Sequence, residues 1–376
     1  MDLFDVYPKY DIQPESAQGS YIWDANGIKY LDFYGGHGVI SIGHKNVDFT
    51  KAIKDQLNKI AFYSNALKNP LQNELAVKLA QRSGYISEYE FFMCSSGAEA
   101  NENALKLASF HTKKRRVLAF KNSFHGRTSG ALAVTDNSNI QSEFNKVHEV
   151  SFLEFNDLDA LRYEIGIGDV SSVIIEPIQG VGGLDQPTTL FFSTLRQLCS
   201  DNKICLIVDE VQSGYGRTGD FFAHQIHGIK PDIITLAKGM GNGFPVAGLM
   251  ISNTIEASYG MLGTTFGGSH LACAASISVL DVIERDNLLK NVNQMGAYFI
   301  DKCKHLNGLK QIKGRGLMLG LEFDYSIGAL RKKLLFDKQI VTGSSNNKNL
   351  LRILPPLNCS KKDIDLFVSA IEPLVQ

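Results

Sequence analysis

Seven short apolar runs, each bounded by turn residues, recur along the chain: YEFFMCSS, RRVLAF, HEVSFL, SSVIIE, ICLIVDE, DIITLA and VAGLMI. A strand with one wet face alternates apolar and polar residues, whereas a strand covered on both faces does not. These runs are nearly continuous in apolar residues. Segments of helical spacing alternate with them. In AEANENALKLASFH, for example, Ala100, Ala104, Leu105 and Ala108 fall on one face. Such a chain is expected to form an α/β fold: a mostly parallel sheet with helices on both faces.

The two ends of the chain read differently. SYIWD and IKYLDF alternate around Ala25-Asn26-Gly27, which predicts a hairpin. A glycine-rich loop, YGGHGVISIGH, follows it. Helical patterns then cover Phe49 to Lys59 and Pro70 to Ser83. Beyond VAGLMI, the stretch from His270 to Leu306 is a long helical region whose first residues are small. After it the pattern becomes α+β, with GLMLGLEF and LLRILPP as strands and KKDIDLFVSAIEPLV as a closing helix. A length of 376 residues suggests two or three domains, with a composition shift near Glu284 to Asn291.

Charge removes several classes of function. Lys+Arg 38 against Asp+Glu 39 leaves a formal charge of −1. That gives no field for nucleic acid and no basic block for a membrane surface. The N-terminus, MDLFDVYPKYD, lacks the apolar segment of a signal peptide, and no apolar run is long enough to cross a bilayer. The six cysteines, Cys94, Cys199, Cys205, Cys273, Cys303 and Cys359, stand singly and none forms CxxC. They read as reduced, buried thiols of a cytoplasmic protein, and no metal site is expected.

The chemistry concentrates at strand ends. Lys238, in TLAKGMGNGFPVAG, follows an apolar stretch and precedes Gly239, Gly241 and Gly243. Glycines let a planar group approach the backbone closely, and lysine is the side chain that captures a carbonyl cofactor. Asp209, 29 residues upstream, ends the run KICLIVD. A carboxylate there suits the ring nitrogen of pyridoxal 5'-phosphate (PLP). In SSGAEANE the turn Ser95-Ser96-Gly97-Ala98 runs straight into a helix, whose free N–H groups favour a phosphate, and Ser96 offers a hydroxyl. In NSFHGRTSGAL, Phe124 can cover a ring face and Arg127 can fork onto a carboxylate. Thr264 and Thr265, beside a glycine pair, form a second candidate phosphate contact. Arg352, before two prolines, sits at a rigid position for a second carboxylate clamp. Each feature alone has a bland counterpart: a surface lysine, a turn cap, a helix N-cap, a core phenylalanine. Together, on successive βα units, they point to PLP chemistry.

SSGAEANENALKLA, FHGRTSGALA, IIEPIQGVGG, VDEVQSGYGRTG, ITLAKGMGNGFPVAG, TTFGGSHLACAA and RILPPL follow one another in this order. In this the chain resembles the class III PLP-dependent aminotransferases, and within them the acetylornithine and succinylornithine aminotransferases. The likeness runs from about Gly19 to Pro373. It implies PLP-dependent transferase fold type I: a large domain over residues 49–286, and a smaller α+β domain built from segments 1–48 and 287–376. It also implies a role for each matched residue. Lys238 would hold the cofactor and later shuttle the proton, and Asp209 would pair with the ring nitrogen. Gln212 would reach the ring hydroxyl, while Val211 and Phe124 would cover the two ring faces. Gly97 and Ala98 would give N–H groups to the phosphate. Thr265 would reach the phosphate of the neighbouring subunit of a homodimer, with Thr264 lining the substrate side. Arg127 would bind the α-carboxylate of an acylated donor and the distal carboxylate of 2-oxoglutarate. Arg352 would bind the α-carboxylate of glutamate or 2-oxoglutarate, and Glu176 would support the site near the ring.

The activity this resemblance implies is transfer of the terminal amino group of N-acetyl- or N-succinylornithine to 2-oxoglutarate, as in arginine biosynthesis. A related donor (ornithine, 4-aminobutyrate or an acylated lysine) and a PLP-dependent aminomutase are the alternatives. Two departures stand out. Val181 replaces a glutamate that usually faces the arginine matched to Arg352, so Arg352 either pairs with another acid or stays open. Losing that negative charge would also favour a donor with an extra carboxylate. Ser269-His270 stands where Asn-Pro is usual.

Overall fold

The computed structural model describes residues 1 and 3–375. The chain opens with three antiparallel strands: β1 (Pro14–Gln18), β2 (Tyr21–Asp24) and β3 (Lys29–Asp32). The turn between β2 and β3 is the hairpin expected from its sequence. β1 (PESAQ) lacks apolar alternation and is largely exposed, so it carried no strand signal.

All seven apolar runs are strands of one sheet: β4 (Tyr89–Cys94), β5 (Arg116–Phe120), β6 (Val150–Leu153), β7 (Val170–Ile175), β8 (Cys205–Asp209), β9 (Ile233–Leu236) and β10 (Ala247–Ser252). Their order is β4-β10-β9-β8-β7-β5-β6. β10 runs antiparallel to both neighbours, and the other pairings are parallel. β7 and β8, in the middle, are buried along their whole length. Removing a valine, leucine or isoleucine of this kind from water contributes about 1.5–3 kcal/mol.

Beyond the sheet, the long helical region is two helices, His270–Arg285 and Leu288–Cys303. Asn287, at φ 51°, makes the left-handed turn between them. Ser269 caps the first helix: its hydroxyl accepts a hydrogen bond from Ala272 N at 3.2 Å. Serine and asparagine both do this well, which accounts for the serine at that position. A three-stranded antiparallel sheet follows, in the order β11 (Leu309–Arg315), β12 (Met318–Phe323), then β14 (Leu350–Ile353). Strand β13 (Ile340–Val341) joins the N-terminal sheet, parallel to β3. The polar strand β11 and the helix Gly328–Asp337 had no clear periodicity in sequence. Among the described residues, no helix is long and apolar enough to cross a membrane. All six cysteines are buried and free.

Parallel strands place their C-terminal ends at one edge, and the loops that leave those ends gather there. The loops after β4, β5, β7 and β9 carry Ser96, Phe124, Glu176 and Lys238 respectively, and Asp209 is the last residue of β8.

Candidate active site

These loops enclose a cavity of about 400 Å3. Ser96, Gly97, Ala98, Phe124, Arg127, Glu176, Asp209, Val211, Gln212 and Lys238 all line it. Lys238 takes φ 45°, an uncommon conformation for a side chain with a Cβ, as the chain leaves β9. Backbone strain of this kind costs about 1–3 kcal/mol and persists only where the surroundings impose it. Burial lowers the Lys238 amine from its ordinary value; the charges of Asp209 and Glu176 oppose this and that of Arg352 adds to it. A lowered value leaves more of the amine neutral and nucleophilic.

Three donors converge on Asp209, which is 5% exposed. His125 Nδ1 and Asn101 Nδ2 donate to Oδ2 at 2.7 and 2.8 Å, and Val211 N donates to Oδ1 at 2.9 Å. Asn101 also donates to His125 O at 2.7 Å and accepts from Thr235 Oγ1 at 2.7 Å. The carboxylate is thereby held in one orientation from the helix Gly97–Thr112, the Phe124 loop and β9. Neither His125 nor Asn101 was given a role from sequence. For Asn101 a signal existed: it precedes Ala104 and Ala108 by three and seven positions, which puts it on the buried face.

Glu176 ties two loops together. Its Oε1 accepts from Phe124 N and its Oε2 from Gly180 N, both at 2.9 Å. Burial pushes its carboxyl above the usual carboxylate range; His125 opposes this and the Asp209 charge adds to it. Ser96 caps the helix Gly97–Thr112, accepting from Glu99 N at 3.2 Å. A Cβ on Gly97 would come within 2.7 Å of Val211 Cγ1, so the cradle at this helix start requires glycine.

Arg352 lies behind the cavity rather than on its wall and is 3% exposed. Its Nε donates to Ser344 O at 2.6 Å, Nη1 to Gly180 O at 2.6 Å and Nη2 to Tyr34 OH at 3.0 Å. No acid pairs with it among the described residues. Backbone carbonyls and a phenol therefore take the guanidinium, so Arg352 neither pairs with another acid nor stands open, the two outcomes expected from Val181. Gln212 links this group to the cavity: its Nε2 donates to His37 O at 3.0 Å, and its Oε1 lies 3.5 Å from Arg352 Nη1. Arg127, itself exposed, lines the cavity from the Phe124 loop. Thr264 and Thr265 do not line the cavity of their own chain. Thr264 Oγ1 accepts from Gly267 N at 3.1 Å, and Thr265 is exposed.

Gly180 is sterically fixed. An added Cβ would sit 2.0 Å from Gln212 Oε1. Gly180→Ala is expected to push Gln212 off His37 and to loosen Arg352. Steady-state kinetics should show kcat/KM lower by on the order of 100-fold, with little change in melting temperature, because Gln212 can swing aside.

The fold and this cavity together define a lysine-centred transferase site at the carboxyl edge of a parallel sheet. The family model for class-III aminotransferases matches residues 6–375, and the chain belongs to that family. The acetylornithine aminotransferase of Aquifex aeolicus is 38% identical, over 99% of each chain. That of Bacillus subtilis is 38% identical, over 99% of this chain and 97% of its own. Among solved structures, the ornithine aminotransferase from Toxoplasma gondii ME49 superposes with a TM-score of 0.91 at 25% identity, covering 98% of this chain and 91% of that one.

The protein is therefore a PLP-dependent aminotransferase, and the cavity fits the cofactor. A buried amine, a fixed carboxylate, a helix N-terminus cleared by Gly97 and an apolar face at Val211 converge on one space. The lowered Lys238 value gives a pH prediction. The rate at which cofactor-free protein takes up PLP, followed by absorbance, is expected to rise with pH and level off below the ordinary lysine value of 10.5. A midpoint at or above that value would contradict the burial argument.

Proposed function

We propose that the protein transfers the terminal amino group of an N-acylornithine, N-acetylornithine first, to 2-oxoglutarate, giving the semialdehyde and glutamate. The observation that carries this reading is two guanidinium groups with no acid paired to either among the described residues: Arg127 on the wall of the Lys238 cavity, and Arg352 behind it, reached through Gln212. Two such groups suit a donor and an acceptor that both carry carboxylates. The names of the relatives support the acyl donor. We assign the reaction to arginine biosynthesis in the cytoplasm.

When bound, PLP supplies an aldehyde for amine capture and a ring that accepts electrons. In this reading Asp209, held by His125 and Asn101, keeps the ring nitrogen protonated. Val211 and Phe124 clamp the ring faces, and Gln212 reaches the ring hydroxyl. Gly97 and Ala98 give their N–H groups to the phosphate, with Ser96 beside them. Lys238 Nζ would take the proton from the donor carbon that bears the amino group and return it to the carbon on the far side of the transferred nitrogen, the former aldehyde carbon of the cofactor. In the second half-reaction it runs the transfer backwards. Arg127 orients the donor α-carboxylate, and Arg352 the α-carboxylate of 2-oxoglutarate. Glu176 fixes the Phe124 loop against Gly180.

A homodimer belongs to this proposal, with Thr265 reaching the partner's phosphate site and Thr264 its substrate side. Exposed apolar side chains surround that loop: Phe266 is 65% exposed, Tyr63 55% and Phe62 38%. A monomer seldom leaves such a cluster open to water.

The test is a comparison of kcat/KM for N-acetylornithine, N-succinylornithine, ornithine and 4-aminobutyrate, with 2-oxoglutarate as acceptor. An acylated ornithine should exceed the unacylated amines by about 100-fold or more, because the pocket's polar groups go unpaired with the wrong donor. Preference for ornithine would move the protein to the activity named for its structural neighbours.

A further inference from the structure

A second cavity, of about 460 Å3, opens beside Tyr34 and His37. Pro8, Tyr10 and Ile12 of the N-terminal segment cover it. Tyr10 anchors that cover edge-on against Phe336 of the helix Gly328–Asp337, with ring centroids 5.6 Å apart. The cavity is linked to the Lys238 site through one hydrogen-bonded chain. Arg352 donates to the Tyr34 hydroxyl, and that hydroxyl donates to His37 Nδ1 at 2.5 Å. Burial lowers the His37 imidazole from its ordinary value, with the Arg352 and Lys238 charges adding to it, so its ring nitrogen is free to accept.

Two polar groups in the wall of this cavity have no partner. Arg331 Nε and Thr342 Oγ1 are both buried and unbonded. Thr342 is only 4% exposed. Arg331 Nη2 donates to Thr342 O at 3.2 Å, and no acid pairs with Arg331 among the described residues. Arg352 lacks an acid in the same way. Burial lowers the Arg352 guanidinium most, and the Arg331 charge contributes in the same direction, so the two cations feel one another. The nearby acid Asp24 is committed elsewhere: its oxygens accept from Asn26 N, Ile28 N and Tyr30 OH. A buried guanidinium (Arg352) beside a half-buried one (Arg331), neither with a counter-charge, is costly, and a carboxylate offsets that cost with paired, directional hydrogen bonds.

We propose that Arg331, Thr342 and Tyr34 form a second carboxylate-binding subsite, separate from Arg127 and Arg352, for the carboxylate end of a small acid. Two sources share this chemistry. One is the distal carboxylate of a dicarboxylic acyl group on the amino donor, and this source rests on the N-acylornithine reading above. The other is a free dicarboxylate that binds as an effector.

Wild type, Arg331→Gln and Thr342→Val, each loaded with cofactor, test this. Two quantities are read: the Kd of succinate by calorimetry, and the ratio of kcat/KM for N-succinylornithine to that for N-acetylornithine. Arg331→Gln is expected to raise the succinate Kd about tenfold or more, the usual worth of a charged hydrogen bond, and Thr342→Val to move it the same way. A succinyl/acetyl ratio that falls with it assigns the subsite to the donor's acyl arm. An unchanged ratio with weakened succinate assigns it to a free acid. Unchanged Kd and unchanged ratio in both variants overturn the subsite, even if overall turnover falls, since a structural role would lower both donors together. Should wild type convert neither acylated donor, the N-acylornithine reading fails, and the succinate Kd still decides the subsite. If Arg331→Gln does not fold, Thr342→Val carries the test alone.

Discussion

Lys238→Ala is expected to lower kcat for amino transfer by about 10,000-fold, the upper range for losing a positioned acid–base group. Lys238 supplies the amine of the cavity wall, and the other residues that line it offer no second one. Asp209 and Glu176 are tied down by hydrogen bonds to their own surroundings and cannot swing in as substitutes. Loss of activity must be separated from loss of fold. Because position 238 has φ 45°, Lys238→Gly should be at least as stable as Lys238→Ala while being equally inactive. The check is kcat for both variants beside their melting temperatures. Activity within tenfold of wild type in either would refute the role given to Lys238.

Asp209 carries the second large effect. Asp209→Ala removes the carboxylate proposed for the ring nitrogen and leaves His125 Nδ1, Asn101 Nδ2 and Val211 N without their acceptor. Activity is expected to drop on the order of 1,000-fold, as for losing a preorganised electrostatic partner. Stability should fall by about 2–4 kcal/mol, because buried donors are left unpaired. Asp209→Asn separates the two consequences. It keeps the volume and one acceptor oxygen, so it should recover much of the stability but little of the activity. Chemical denaturation and kcat on the same preparations measure both. Equal losses of stability with preserved kcat would make Asp209 a purely structural residue.

How far the sequence reaches can be judged from these same residues. The central sheet was legible because both its faces are covered, so each strand is an apolar run without alternation. Lys238, Asp209 and Ser96 were legible because each sits where such a run stops, and a parallel sheet gathers its strand ends. His125 and Asn101 were not assigned, since their importance lies in contacts to Asp209 across 84 and 108 residues of chain. Strand β11, LKQIKGR, was missed because a polar edge strand has no periodic signature. The surroundings of Arg352 could not be read either. Its partners are mostly backbone carbonyls, which any residue supplies, and only the fold brings Gly180, Ser344 and Tyr34 to it.

The central claim is that the nitrogen leaves the terminal position of an N-acylornithine and arrives on 2-oxoglutarate. Supplying the purified holoenzyme with 2-oxoglutarate and N-acetylornithine isotopically labelled at the terminal nitrogen tests it, with products read by mass spectrometry. Label is expected in glutamate, with an unlabelled semialdehyde in equal amount. Label retained on the ornithine skeleton at a new carbon, or released as free ammonia, would contradict it.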